Sequence, residues 1–289
     1  MVFDRPVGHE IVVARDDGSR ARVVAHGYLP VVAPDGRHVA YLGDRPRGSA
    51  RMASTRGGRS WLLQRDVADT IPAVYWSPNA RYLAVGTSNG GAWIHDVIKR
   101  RPRYVALRAD FGGAVFSPNS ATALLLGTAI GADNTLLGLR IGRRGVRDLG
   151  SGDLPVWGQG GLAYERDDGP TDHEHVFNPT YSEVVLAHRL GGPTRTLIRS
   201  APGLSPLGWS ANGTRLLVQQ ETPRGLRALL LSPTTATQQT LPKPLSTIDA
   251  ISRDGRRILA QLNQDVVTEG LNGKIKTLAH HARNASWTQ

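Results

Sequence analysis

PAVYWSPNARYLAVG, at residues 72–86, combines an apolar strand, a tight polar turn and a second apolar strand. In the turn, Pro78 presets one backbone angle, and the Asn79 side chain can accept a hydrogen bond from the nearby backbone. The aromatic and β-branched residues on both sides favour extended structure. The stretch therefore predicts a β-hairpin.

The same pattern recurs along the whole chain. Further copies are LPVVAPDGRHVAYLG (29–43), GGAVFSPNSATALLLG (112–127), LPVWGQGGLAYE (154–165), PLGWSANGTRLLVQ (206–219), DAISRDGRRILAQ (249–261) and the truncated NASWTQ (284–289). Aligned on the last strand residue before the turn, the copies are spaced by 44, 40, 41, 52, 42 and 36 residues. A third and usually a fourth apolar strand follow each hairpin. Four strands in a repeat of this length are the blade pattern of a β-propeller.

The two ends of the chain predict how the ring closes. Residues 284–289 stop after a first strand, whereas residues 1–28 supply only later strands. We therefore expect residues 284–289 to complete a blade with residues 1–28, which removes exposed sheet edges. The prediction is an all-β, seven-bladed propeller forming a single domain over residues 1–289. Because WGQGG replaces the usual turn in the fourth hairpin, six and eight blades stay open as alternatives.

The turns resemble the WD40-like (PD40) repeats of TolB-type propellers, in which an aromatic residue precedes Ser-Pro-Asp-Gly. The matching residues here are Trp76-Ser77-Pro78-Asn79, Phe116-Ser117-Pro118-Asn119, Pro34-Asp35-Gly36 and Ser252-Arg253-Asp254-Gly255. The Gly-His and Trp-Asp pairs of eukaryotic WD40 scaffolds do not recur. The resemblance covers nearly the whole chain and implies a bacterial interaction module, often extracytoplasmic or fused to a catalytic domain.

The composition excludes several classes of protein. The chain has 289 residues and no cysteine, so it has neither disulfides nor thiolate metal sites. Its longest nearly apolar run, residues 121–132, is too short to span a bilayer. The net charge is +11, but 31 of the 35 basic residues are arginine, as GC-rich codon usage produces. The charge therefore does not favour nucleic acid as the partner.

The start of the chain carries no signal-peptide pattern, because no basic segment precedes a long apolar one. We expect an extracytoplasmic protein if the N-terminus has been trimmed and a cytoplasmic one otherwise, so the compartment stays open. We also expect a monomer.

Propeller topology sorts the charged residues onto two faces. The first and third turns of the blades carry many arginines, including Arg56, Arg59, Arg103, Arg143 and Arg195. The opposite face, with the mouth of the central channel, collects carboxylates and imidazoles. The candidate ligand- or partner-binding residues on that face are His26, Asp69, Asp110, Asp153, His173, His175, Glu221 and His281, and Glu165 is also placed in one of its loops. The alternative for each aspartate before a strand is that it caps the turn between blades.

Two of these candidates lie in an insertion at residues 165–183. His173 and His175 share one side of an extended segment, so their imidazoles could hold a divalent cation if Asp153 or Glu221 supplied a third ligand. The spacing matches no established zinc motif, and a polar loop tip is the other interpretation. We therefore predict no cofactor, and a divalent cation stays open.

No catalytic motif is present in the sequence. Gly-x-Ser-x-Gly and glycine-rich phosphate loops are absent, and GLNGK (270–274) is interpreted as a hairpin turn. The sequence therefore favours a non-catalytic module that recognises a protein or a small ligand through its channel-mouth loops. The alternative is a propeller lyase, hydrolase or cyclase that uses Asp and His at the channel mouth.

Overall fold

The computed structural model describes most of the chain. It covers residues 1–43, 48–67, 74–87, 90–107, 110–129, 132–167, 182–200, 203–223, 225–241 and 245–286. In these ranges the chain forms 28 β-strands in seven four-stranded antiparallel sheets, and they contain no helix. The predicted seven-bladed β-propeller is confirmed, and the alternatives with six or eight blades are excluded.

The strands are short and separated by turns. The first half contains β1 Val2–Arg5, β2 Glu10–Val13, β3 Arg22–His26, β4 Tyr28–Val32, β5 His38–Gly43, β6 Ser49–Ser54, β7 Trp61–Gln64, β8 Val74–Trp76, β9 Tyr82–Thr87, β10 Gly91–Asp96, β11 Arg101–Ala106, β12 Asp110–Phe116, β13 Thr122–Ala129 and β14 Ala132–Arg140. The second half contains β15 Arg147–Ser151, β16 Asp153–Gly158, β17 Gly161–Asp167, β18 Ser182–Ala187, β19 Thr194–Ser200, β20 Leu204–Trp209, β21 Leu216–Thr222, β22 Gly225–Ser232, β23 Thr237–Thr240, β24 Thr247–Ile251, β25 Arg257–Leu262, β26 Asp265–Gly270, β27 Ile275–Ala279 and β28 Arg283–Ser286.

Each blade consists of four strands in chain order, with one exception. Blade 1 combines β28 with β1, β2 and β3, and blades 2 to 7 take the remaining strands four at a time. The first strand of each blade contacts the first strands of the neighbouring blades around the ring. The first strands therefore surround the central axis, and the fourth strands lie at the rim.

The core is divided among the contacts between blades. The described residues form seven apolar clusters, and each one joins two neighbouring blades, including blades 7 and 1. In β13, Leu125 packs toward blade 3 while Leu124 and Leu126 pack toward blade 5. Because side chains alternate between the two faces of a strand and both faces are covered, the middle strands contain apolar runs such as residues 123–126.

The ring closes as the ends of the chain predict. β28 pairs antiparallel with β1, placing Ser286 opposite Val2. The Asn284 side-chain amide donates a hydrogen bond of 2.9 Å to Oδ1 of Asp4, which is buried. This composite sheet completes blade 1.

A buried serine organises the first turn in four of the blades. Its hydroxyl donates to the Asx residue two positions later and accepts from the backbone N–H five positions later. In blade 4, Ser117 Oγ lies 2.7 Å from Asn119 Oδ1 and 3.0 Å from the Thr122 nitrogen. The equivalent pairs are Ser77–Asn79, Ser210–Asn212 and Ser252–Asp254. The expected Asx hydrogen bonds from the backbone are also present: the Arg81 N–H donates to Asn79 Oδ1 and the Ala121 N–H to Asn119 Oδ1, each over 3.1 Å.

The atypical first turn of blade 5 is explained by its packing against Trp209 of blade 6. A Cβ atom added to Gly158 or Gly160 would lie only 2.6 Å or 2.2 Å from atoms of Trp209. The indole of Trp209 packs between blades 5 and 6, and the absence of two side chains in WGQGG leaves room for it. The glycines therefore replace the usual turn residues for a packing reason.

Some loop assignments need correction at the strand ends. Glu165 was expected in a loop, but it lies inside β17 and is buried. Arg103 and Arg195 were expected in turns, but they lie within β11 and β19. The reason is that these ladders extend beyond the apolar residues that mark a strand in the sequence: Glu165 pairs with Asp153, and Arg103 with Ile94.

Replacing the turn serine tests its contribution to stability. We expect Ser117→Ala to lower the free energy of unfolding by about 1–3 kcal/mol, because the Thr122 N–H loses its hydroxyl acceptor in a buried turn. Urea unfolding followed by circular dichroism measures this change. Thr235→Ala, in an exposed turn of blade 6, is the control and should change stability by less than about 0.5 kcal/mol. Equal effects of the two substitutions would contradict the assigned role.

Candidate functional site

Strand order assigns every turn to one of two faces. The hairpin face carries the turns between the first and second strands and between the third and fourth strands of each blade. The inter-blade face carries the turns between the second and third strands and the connections from one blade to the next. Because all sheets are antiparallel, this assignment follows directly from the topology.

The described candidate residues all lie at the inter-blade face, in different blades. His26 ends β3, Asp110 begins β12, Glu221 is near the end of β21 and His281 follows β27. All four side chains are exposed. Asp69, His173 and His175 lie outside the described residues. Among the described candidates, no hydrogen bond or ion pair joins one to another.

Asp153 stabilises the connection between blades 4 and 5. Its Oδ1 accepts a hydrogen bond of 2.7 Å from the Leu154 N–H, and its Oδ2 accepts one of 2.9 Å from the Asn134 side chain. These contacts match the capping interpretation of an aspartate before a strand. Substitution of Asp153 would therefore disturb the loops as well as any binding.

Two histidines and a carboxylate meet at the end of blade 7. His280 Nδ1 lies 3.0 Å from Asp265 Oδ2, and the His281 N–H donates to Asp265 Oδ1 over 3.2 Å. His281 Nδ1 also lies 3.3 Å from Oε1 of Gln264. Desolvation acts to raise the pKa of Asp265, but the hydrogen bonds from both histidines hold it below its usual value. The sequence identified His281 as a candidate, but only the structure shows its contact with Asp265.

Two grooves lie beside these residues. The first, of about 480 Å³, lies between blades 7 and 1 and is lined by Arg5, Val7, His280 and His281 among others. The second, of about 670 Å³, lies between blades 1 and 2 and includes His26.

The innermost strands are irregular where they leave the inter-blade face. In six blades, the pairing of the first strand with the second contains a bulge or another irregularity. Leu29, Leu154 and Asn284 occupy the same position relative to their turns and have φ values of 51°, 44° and 51°. This left-handed conformation is unfavourable for leucine, so it marks strain at the channel mouth.

Asp249 was not among the sequence candidates. It is the bulged residue of the innermost strand β24, where Ile248 pairs with Ala260 and Ala250 with Leu259. Its Oδ2 is buried and has no hydrogen-bond partner among the described residues. Burial raises the pKa of Asp249 from 3.8 to about 7, and a hydrogen bond with Gln261 only partly opposes this. A lone aspartate between apolar residues gives no signal in the sequence.

The aromatic residues at the turns are packing residues. Phe116 is buried between blades 3 and 4, and Trp209 lies between blades 5 and 6. Trp76 is partly buried between blades 2 and 3, and its indole N–H donates to the Val31 carbonyl over 3.0 Å. These contacts show that the aromatic residues at the turns join neighbouring blades.

The described ranges lack two kinds of feature. Those ranges contain no group of three or more His, Asp or Glu residues placed to hold a metal ion. They also contain no helix of the length and apolarity that a bilayer crossing requires. His173 and His175, the histidines of the possible cation site, fall in the part of the insertion that is not described.

Comparison with solved structures shows the fold. An oligogalacturonate lyase in complex with manganese superposes with a TM-score of 0.66 at 13% identity, covering 97% of this chain and 84% of that one. TolB from Acinetobacter baumannii gives 0.60 at 14% identity over 88% of this chain, which spans 64% of TolB. The propeller domain of the trilobed protease from Pyrococcus furiosus gives 0.63 at 11% identity, covering 84% and 82% of the two chains.

Comparison of the sequence with family models and with curated proteins gave no match. No family model matches it, and no curated protein matches it at a significant level. The chain is therefore a β-propeller of the architecture found in TolB and other propeller proteins. At these identities the likeness extends to the fold alone.

The raised pKa of Asp249 predicts a pH-dependent stability. The carboxyl binds its proton more tightly in the folded protein, so stability falls as pH rises from about 4 to about 7. We expect Asp249→Asn to stabilise the protein at pH 8 by on the order of 2–4 kcal/mol and to have little effect near pH 4. Urea unfolding at both pH values measures this difference. Asp35→Asn, in an exposed turn, is the control, and a pH-independent effect of Asp249→Asn would contradict the assignment.

Proposed function

We propose that the protein is a non-catalytic binding module that recognises a protein or a small ligand at the mouth of its channel, on the inter-blade face. One observation carries this proposal: the first turns of four blades repeat the same serine–Asx hydrogen bonds, whereas the sequences of the inter-blade loops do not repeat from blade to blade. Variable polar loops on a rigid scaffold are the usual arrangement of a recognition surface.

The exposed side chains on this face support the proposal. His26, Asp110, Glu221 and His281 project from four different blades and are not buried in the structure. The strained leucines, Leu29 and Leu154, lie at the same entrance, and Leu154 is 42% exposed. A strained backbone of this kind persists only where the surrounding structure holds it, and such residues cluster at functional sites. Together they place carboxylate, imidazole and apolar groups on one face of the propeller.

A thermal-shift screen tests the proposal. The wild-type protein is screened against a defined set of small molecules and short peptides, because a ligand that binds only the folded state raises Tm. At a hundredfold excess over Kd, the stabilisation is about 2.7 kcal/mol. Each hit is then measured on a channel-mouth variant carrying Asp110→Ala, Glu221→Ala and His281→Asn. Asparagine is used at residue 281 because it tolerates the left-handed backbone.

The matched control carries Arg56→Ala, Arg59→Ala and Arg189→Ala on the hairpin face. We expect the hits to lose their effect on the channel-mouth variant and to keep it on the control. Hits that still stabilise the channel-mouth variant, but no longer stabilise the control, would place binding on the wrong face and would refute the proposal.

The second candidate function is a propeller lyase, hydrolase or cyclase, and Asp249 is the observation that favours it. A carboxyl with a pKa of about 7 on an innermost strand has the protonation behaviour of a general acid or base. The similar oligogalacturonate lyase was solved with manganese, which extends this alternative to a metal-dependent reaction.

Calorimetric titration with Mn²⁺ tests the metal-dependent form of this alternative. Stoichiometric binding by the wild type, lost in a variant carrying His173→Asn and His175→Asn, would favour an enzyme. Asp35→Asn on the hairpin face is the control and should keep the binding. Failure of the wild type to bind Mn²⁺ would remove this support.

A further inference from the structure

Two neighbouring turns on the hairpin face combine exposed apolar residues with dense positive charge. One joins β10 to β11 in blade 3, and the other joins β14 to β15 in blade 4. Ile98, in the first turn, is 73% exposed, and Val146, in the second, is 41% exposed. Large apolar side chains at the tips of turns lose contact with water only when a partner covers them.

The charge around these two residues has one dominant sign. Residues 97–103 and 141–150 contain seven basic side chains and a single carboxylate, Asp148. The basic residues are Lys99, Arg100, Arg101, Arg103, Arg143, Arg144 and Arg147. All except Arg103 are exposed. The patch therefore offers a strong positive field together with two protruding apolar groups.

The two turns are held in place and joined to each other. Asp96 forms an ion pair with Arg81 at 2.8 Å, and its other oxygen accepts hydrogen bonds from the N–H groups of Ile98 and Lys99 at 3.2 Å and 3.0 Å. The nearest carboxylate of blade 3 is thus already engaged by Arg81. The Arg103 guanidinium donates to the backbone carbonyl of Arg143 and so links blade 3 to blade 4.

We propose that these two turns dock the hairpin face onto an anionic lipid bilayer. Basic side chains are attracted to the negative surface of such a membrane, and the apolar tips can enter the boundary between headgroups and acyl chains. Nucleic acid satisfies only the charge, because its phosphate backbone offers no apolar layer to receive Ile98 and Val146. Docking by the hairpin face leaves the inter-blade face open, so this inference is independent of the proposed binding function.

Sedimentation with vesicles tests the docking. The probes are vesicles of phosphatidylcholine alone and vesicles of phosphatidylcholine with phosphatidylserine. We expect the wild type to bind only the vesicles that contain phosphatidylserine, and to be released by salt. A charge variant with Lys99→Glu and Arg144→Glu should bind at least about tenfold more weakly. An apolar variant with Ile98→Ser and Val146→Ser, which leaves the net charge unchanged, should lose on the order of tenfold.

Each variant has a matched control. Arg56→Glu with Arg59→Glu makes the same change in net charge on the same face, but in a turn of blade 2, residues 55–60, that itself contains no large apolar residue; Trp61 and Leu62 follow it in β7. Val7→Ser removes an apolar side chain that is 88% exposed on the inter-blade face. We expect Val7→Ser to bind like the wild type and the blade 2 variant to lose much less than the charge variant. Unchanged Tm values confirm that all variants fold.

Three results would overturn the proposal. The first is equal binding to vesicles with and without phosphatidylserine. The second is full vesicle binding by the apolar variant, which would show that charge alone acts. The third is a wild type that binds duplex DNA but not vesicles, which would assign the patch to nucleic acid instead.

Discussion

The buried serine hydroxyl of the first turn is the interaction on which the regularity of the propeller depends. In four blades it binds an Asx side chain on one side and a backbone N–H on the other, so the serine is buried with its hydroxyl paired. The turn fixes the relative position of the first two strands. Those strands then present alternating apolar side chains to both neighbouring blades, and the seven inter-blade clusters form.

The sequence contains most of what decides the fold, because each blade repeats the same local chemistry. The Ser-Pro-Asn turns and the continuous apolar strands, as in residues 112–127, are readable without any knowledge of the neighbouring blades. The closure of the ring was also predictable, since residues 284–289 lack the later strands that residues 1–28 provide. The atypical turn of blade 5 was not, because Gly158 and Gly160 are explained by Trp209, which lies about fifty residues away in the next blade.

The candidate site was less accessible from the sequence for the same reason. Topology was enough to place His26, Asp110, Glu221 and His281 at one face, but not to say which groups meet. At the end of blade 7, His280 meets Asp265, which comes from a different turn. The pKa of Asp249 is raised only because the bulge and the burial around it remove its carboxyl from water. Burial and contacts between distant segments determine protonation, and neither can be read from residue type alone.

The pairing of β28 with β1 has a kinetic consequence. The two strands are separated by nearly the full described chain, so their pairing closes a very long loop and costs conformational entropy. During synthesis, blades 2 to 7 leave the ribosome before the innermost strand of blade 1 exists, and β1 then presents an unpaired edge. The nascent protein must therefore protect that edge from pairing with another chain until its own last described strand arrives.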